Sequence, residues 1–572
     1  MASIIKKRKG NQNYYYVAVS ARVNGKPRIV SQTYLGTAER LAKLVRQKAA
    51  PVPLEATALD LGLPGALWLA ARDSGAFDAL LSVWPAPRKG PAIAHYLLLA
   101  AIHRICSPGP KTTVPAWYQG TCLRRLWGFP SQRFSSQAFW NHFDAIDTAP
   151  SPKLAEHDDL QRAQTALLQA FRSNDLVGER VLSYDTTNFV TWIASTNERC
   201  RLTQPGLSGQ KRHDLRQVGL SYALDAQHGL SLCHHVYPGN VSDSGELPAV
   251  LPGITRMLDR AGVARDTVTL VMDKGSAALA NSLELQRHGL HWVAALPWNQ
   301  APERLRMRPV EELDSLEPRQ PGVKAFAQKE IVHGEERQCV LSHSASLAVE
   351  QLHSTAASMA TAAKGLSRLS RDLAKPGRKF QEAALRKRIG SLLAPNRVSR
   401  VLPWELSRSE RGFKLRFEVD HSALDRLLRE RFGRTVLVTS RTHWSAGQVV
   451  DAYARQQQVE QVFRGVKGGN WAGWGPMHHW TDSKIKVHAF YCMLAVSLSH
   501  YLRCKAERVW PGLSIAQLQD QLAGIQQIEL LYPRQGEKGP GRTVTVATKC
   551  SAAQEALTQA LGLTELMPTR KP

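Results

Sequence analysis

Val181-Leu182-Ser183-Tyr184-Asp185 is the stretch on which the fold turns. A short β-prone, mostly apolar run ends in a carboxylate, the pattern of a buried strand that carries an acid to the edge of a sheet. Thr267 to Met272 repeats the pattern and ends at Asp273. Acids at the C-terminal edge of a sheet converge on a cleft, a position suited to metal ligation. An Asp that merely opens a turn after a strand is the commoner reading of either acid taken alone. Outward from Asp185, Val218 to Leu224 and Leu230 to Tyr237 flank Asp225-Ala226-Gln227-His228-Gly229, which predicts a hairpin and so a three-stranded meander. Leu247 to Ala261 reads as a helix and His291 to Leu296 as another strand, so residues 176–300 form the first part of a mixed α/β sheet.

Upstream, residues 1–40 predict a basic β-hairpin, with Tyr14 to Val19 and Arg28 to Tyr34 joined through Asn24-Gly25. Residues 41–175 read as an all-α domain, with Leu80-Leu81, Tyr96 to Leu99 and Leu123 to Trp127 at helical spacings. Downstream, residues 301–440 leave the strand–helix rhythm. Within them, 364–400 carry eleven Lys/Arg against only Asp372 and Glu382, a solvated face or a DNA contact. Arg434 to Thr439 predicts a strand. Residues 441–510 then resume the core, with a helix opening at Ser445 and running to about Val466 and another from Lys484 to Leu502. Residues 511–572 form a C-terminal region.

The 572 residues exceed what one hydrophobic core supports, so several domains are expected. With 43% hydrophobic and 21% charged residues, the chain has the composition of a folded globular protein. The formal charge of +26 favours a polyanion, nucleic acid first. A membrane is excluded as partner, because no run of 18 apolar residues and no signal-peptide pattern occurs; Ala92 to Ile102 is too short and contains His95. Eight cysteines without a C-x-x-C pair suggest neither zinc nor disulfides and fit a reducing cytoplasm. The adjacent histidines at 234/235 and 478/479 lack the spacing of paired ligands on a helix.

Tyr453, Gln456, Glu460 and Lys467 stand 3, 4 and 7 apart, on one stripe of the predicted helix, with Val459, Val462 and Val466 on its buried side. A solvated amphipathic helix shares that pattern. Together with Tyr184 to Phe189, Lys211 to Val218, Tyr237-Pro238-Gly239-Asn240-Val241-Ser242-Asp243 and Val271 to Gly275, these residues resemble the bacterial insertion-sequence DDE transposases that carry a Y-x2-R-x3-E-x6-K signature. The likeness spans most of the chain. One departure is plain: Gln456 occupies the signature's arginine position.

The resemblance implies a ribonuclease-H-like catalytic core with an inserted β-rich subdomain, preceded by the hairpin and the helical DNA-binding domain. It implies that Asp185, Asp273 and Glu460 are catalytic and hold Mg²⁺, with Mn²⁺ able to substitute. Tyr453, Gln456 and Lys467 would contact DNA near the scissile bond. The implied activity is cut-and-paste transposition in a bacterial cytoplasm, on terminal inverted repeats and target DNA, by a homodimer. Trp298 and Trp404 are candidates to stack on an extruded base, against the ordinary reading of both as core residues. The rival readings are a domesticated DNA-binding protein without cleavage and a general nuclease on the same core. Gly536-Glu537-Lys538-Gly539-Pro540-Gly541-Arg542-Thr543 imitates a phosphate-binding loop but leads into β-prone Val544-Thr545-Val546, where that motif requires a helix.

Overall fold

A computed structural model describes residues 2–568 except 11, 24, 49–51, 149–157, 178–180, 207–211, 213, 274–278, 376–379, 395, 410–411, 469–471, 476 and 534–541. The chain divides into two units, the first comprising residues 1–60, 525–550 and 566–572 and the second residues 61–524 and 551–565.

The first unit opens with a three-stranded antiparallel sheet, β1 (Ala2–Lys9), β2 (Gln12–Val23) and β3 (Lys26–Thr37). The expected hairpin is its β2–β3 half, in which Tyr16 faces Tyr34 and Val19 faces Ser31. Gly25 turns the chain at φ 77°, which costs a glycine little; Asn24 lies outside the described residues. Next comes β4 (Glu55–Asp60), a strand within a region read as wholly helical.

The second unit is mixed α/β around one large mixed sheet. Its strands are β5 (Val181–Thr191), β6 (Gln204–Pro205), β7 (Arg216–Asp225), β8 (Ser231–Pro238), β9 (Thr269–Met272), β10 (His291–Ala295), β11 (Asp314–Ser315), β12 (Val323–Val332), β13 (Glu335–Ser344) and, after a hairpin of β14 (Trp404–Ser409) with β15 (Gly412–Phe417), β16 (Arg434–Thr439). The sheet order is β11-β12-β13-β16-β10-β9-β5-β7-β6, and β8 also pairs with β7. β5, β9 and β10 run parallel to one another, while β7 and β8 continue from β5 antiparallel. Successive side chains of a strand face opposite sides. Leu182, Tyr184, Leu270, Met272, Trp292 and Ala294 therefore enter one core with the helices Asp243–Arg260 and Leu279–Arg287. Val181, Val271, Val293 and Ala295 enter the opposite core, under the helix Ala446–Ala454.

Ahead of the sheet the described residues of this unit form mainly helices, among them Ile93–Cys106, whose apolar run is buried. The helix Asp482–Ala506 is buried along most of its length and bonds to β8, where Ser231 N donates to Ser497 Oγ at 2.9 Å. Among the described residues no helix is long and apolar enough to cross a membrane.

Residues 301–440 differ from the expected β-rich subdomain. β11, β12, β13 and β16 extend the main sheet, and between them stand the helices Ala345–Leu373, Glu382–Leu392 and Asn396–Val401. Among the described residues of this segment, only β14 and β15 form a sheet of their own. Residues 376–379 of the basic stretch lie outside the described residues.

The first unit is completed by β17 (Gln526–Tyr532) and β18 (Arg542–Ala547), which form an antiparallel sheet with β4. Residues 534–541 of the phosphate-loop imitation lie outside the described residues. Arg542 and Thr543 open a strand and not the helix that such a loop needs.

Candidate functional site

The site grows from the register of two neighbouring strands. β5 and β9 are paired in parallel up to Tyr184 opposite Met272, so Asp185, the next residue of β5, lies level with Asp273, which directly follows β9. Their odd numbers place both on the face that Val181, Val271 and Val293 share, toward the helix Ala446–Ala454. Hydrogen-bonded strands lie about 4.8 Å apart, which brings the two carboxylates side by side. Both residues are half-buried, and Thr186 N donates to Asp185 Oδ1 at 2.7 Å.

Asp185 does not end its strand. The β-forming run Thr186 to Thr191 continues β5 and pairs with β7 as far as Thr191 opposite Arg216. Only the parallel partner β9 stops, and Asp185 lies where it does. Lys211, His213, Lys274 and Gly275 of the quoted motifs lie outside the described residues. Of the motif at 237–243, Gly239 is close-packed: a Cβ there would stand 2.0 Å from the Gln217 carbonyl oxygen, and Gln217 Nε2 donates to Gly239 O at 2.7 Å.

The single helix expected from Ser445 to Val466 is two helices, Ala446–Ala454 and Gln456–Gly468, broken at Arg455. At the break Ser183 Oγ donates to Arg455 O at 3.2 Å, a carbonyl that also accepts from Gln458 N at 3.0 Å. One residue on, Gln456 Nε2 donates to Tyr184 O at 2.9 Å. These two bonds dock the start of the second helix on β5 immediately before Asp185. Gln456 is only 4% exposed, and its Oε1 is buried without a partner among the described residues. The stripe expected to share one face is therefore divided: Gln456 turns inward, while Glu460 and Lys467 are exposed.

Tyr453, at the end of the first helix, lies within electrostatic reach of all three acids. Its phenol is pushed up to about 12, first by burial and then by the charges of Asp273, Glu460 and Asp185. Among the described residues no three His, Cys, Asp or Glu stand close enough together to hold an ion. The structure thus sets Asp185 beside Asp273 and brings Glu460 to their neighbourhood without closing the trio. A cleft of about 970 Å³ on the same face opens at the opposite strand ends, between Val181, Thr269, Arg319 and Arg455, and the three acids do not line it.

The far end of the glutamate helix rests on aromatic side chains. Lys467 Nζ lies 5.7 Å from the Phe189 ring, and Phe189 stacks on Trp474 with centroids 4.1 Å apart and planes 10° from parallel. Trp474 N donates to Val466 O at 3.0 Å, and the His488 imidazole donates through Nε2 to Trp474 O at 2.9 Å. Spacing in the sequence gave no sign of this support, because Phe189, Trp474 and His488 come from three separate segments.

Trp298 and Trp404 are both half-buried against hydrophobic cores, Trp298 on the sheet and Trp404 on the helices before it. Each ring carries a guanidinium, Arg431 at 4.2 Å and Arg386 at 5.7 Å.

Residues 195–498 match the family described as a transposase DDE domain, a span that includes Asp273 and Glu460 and begins just after β5. No curated protein matches the chain. A solved structure described as the piggyBac transposase synaptic complex with hairpin DNA is similar at 11% identity over 82% of each chain, with a TM-score of 0.34, too weak a likeness to establish a shared fold.

Proposed function

The chain belongs to the transposase DDE-domain family, and from that premise we propose that it is a bacterial insertion-sequence transposase that binds element ends and cuts and rejoins DNA, with Asp185, Asp273 and Glu460 as its acids. The observation that carries this reading is the register that makes Asp185 and Asp273 neighbours on one sheet face, beside a helix tethered to the same strand. The strand run β8-β7-β5-β9-β10, three antiparallel strands followed by two parallel additions, supports a ribonuclease-H-like core.

The donor set fits a hard divalent cation: three carboxylates, without cysteine or paired histidine. Asp185, Asp273 and Glu460 would be the residues that hold Mg²⁺. When bound, the ions activate a water and stabilise the leaving 3′ oxygen. The protein's own part is placement. Ser183 and Gln456 hold the glutamate helix to β5, the half-buried Tyr453 borders the acids, and the exposed Lys467 offers a cation to the DNA backbone. Gln456, spent on Tyr184, acts on the DNA only through the helix it holds. The net charge of +26 supports a DNA partner, and a homodimer would pair the two element ends in the cytoplasm.

The test is cleavage of terminal-repeat DNA with and without Mg²⁺, set against unrelated duplex as competitor. Asp185→Asn is expected to abolish cutting and to leave repeat binding within about twofold. Cutting by that variant overturns the site assignment, and cutting without end preference replaces the transposase reading with a general nuclease.

A further inference from the structure

Four arginines from three separated elements gather on the surface beyond β10 and β16. Arg306 ends the helix Glu303–Arg306, Arg397 and Arg400 stand three apart on the helix Asn396–Val401, and Arg431 follows the helix His421–Glu430. The last two helices are fixed to each other by a small buried cluster of Val401, Leu427 and Phe432. Aromatic faces orient two of the guanidiniums, with Arg431 4.2 Å from the Trp298 centroid and Arg397 5.4 Å from that of Phe432.

Among the described residues no carboxylate pairs with Arg397, Arg400 or Arg431, whereas Arg308 pairs with Glu312, Arg386 with Glu382 and Arg429 with Asp425. Arg306 reaches Glu303 only at 3.6 Å, and its Nε is buried without an acceptor. Burial, and then the charges of Arg397, Arg400 and Arg306, lower the proton affinity of Arg431. Like charges held this close are a standing cost that an anion removes. Guanidiniums already oriented on rings lose little freedom when they bind a planar or tetrahedral oxyanion bidentately.

We infer that Arg306, Arg397, Arg400 and Arg431 form a binding site for the phosphate backbone of duplex DNA, separate from the acids and built on the segment between β10 and β16. The site rests on the reading of the chain as a DNA transposase and adds to it a second place where the duplex is held. Phosphate contacts fix position and carry no sequence information, so the site strengthens binding to any duplex equally. Each phosphate neutralised contributes about 0.9 to the slope of log affinity against log salt.

The experiment compares the full-length wild type with Arg397→Gln/Arg400→Gln and with a control of equal charge loss, Lys329→Gln/Lys375→Gln. Both control lysines are already paired, with Glu336 and Asp372. Binding of a fluorescent duplex is titrated at several KCl concentrations. The arginine variant is expected to lower the salt slope by about 1.8, the control by less than about 0.5. Equal slopes for the two variants, with the wild type binding duplex, overturn the site and leave the transposase reading standing. A wild type that binds no duplex overturns that reading, and the site falls with it.

Discussion

The Gln456 amide donates to the carbonyl of Tyr184 at 2.9 Å, which bonds the residue before Asp185 to the residue one helical turn before Glu460. One hydrogen bond thus couples the strand that carries one acid to the helix that carries another. The bond joins positions 272 apart in the chain.

Replacing Gln456 with leucine keeps most of the volume and removes the donor, so the Tyr184 carbonyl is left buried without this bond. Gln456→Leu is expected to cost about 1–3 kcal/mol in urea unfolding. It is also expected to reduce cleavage far more than duplex binding, because it loosens the acid and not the DNA surface. Unchanged unfolding would show that the tether holds nothing.

Tyr453 reports on the acids without any metal. Its phenol is raised to about 12 by burial first and the acids second, so it stays protonated while unfolded tyrosine ionises near 10. Its stabilising contribution is therefore complete below pH 10 and declines as pH rises toward 12. Glu460→Gln and Asp273→Asn each remove a negative charge and are expected to lower the Tyr453 pKa. The check is ultraviolet titration of each variant against the same variant carrying Tyr453→Phe. A titration that neither change moves would place those acids out of reach of Tyr453.

Trp474 is 4% exposed and, from the segment that follows the glutamate helix, stacks on Phe189 of β5. Trp474→Ala is expected to cost about 3–5 kcal/mol, with Trp474→Phe recovering much of it. Calorimetry of the two variants decides whether the Phe189 stack supports the helix end.

Buried histidines set the acid limit. Burial above all holds His103, His234, His479 and His500 at about 3 and His95 at about 4. The unfolded chain protonates them near 6.5, so their stabilising contribution is present above that value and is lost as pH falls toward 3. Each contributes a slope of about 1.4 kcal/mol per pH unit below 6.5. Unfolding measured at pH 7.5, 6 and 5 should show a steep decline, and His479→Gln should flatten it by one group's share.

Much of the sheet was legible before any coordinates. β7, β8, β9, β10 and β16 lie within a residue or two of their predicted bounds, because apolar runs and turn residues mark them locally. The neighbouring placement of Asp185 and Asp273 follows from two such strands once they pair. What could not be read depends on distant partners. At the break Arg455 O accepts from Ser183 and, one residue on, Gln456 donates to the Tyr184 carbonyl; neither partner leaves a mark in the sequence around 455. The helix Ala345–Leu373 is hidden for another reason: the family resemblance implies strands there, whereas the Ala and Leu content of the stretch favours the 29-residue helix that forms.

The bond from Ser183 to the Arg455 carbonyl also bears on when the protein becomes dangerous. During synthesis both aspartates leave the ribosome long before the glutamate, and the early strands have no clamp to accept until residues 455 and 456 follow. A polypeptide truncated anywhere in the segment between β10 and β16 would carry two acids and basic surface but no third acid. On the proposed reading, such fragments would occupy DNA without nicking it, so that interrupted translation would yield competitors of the full-length protein.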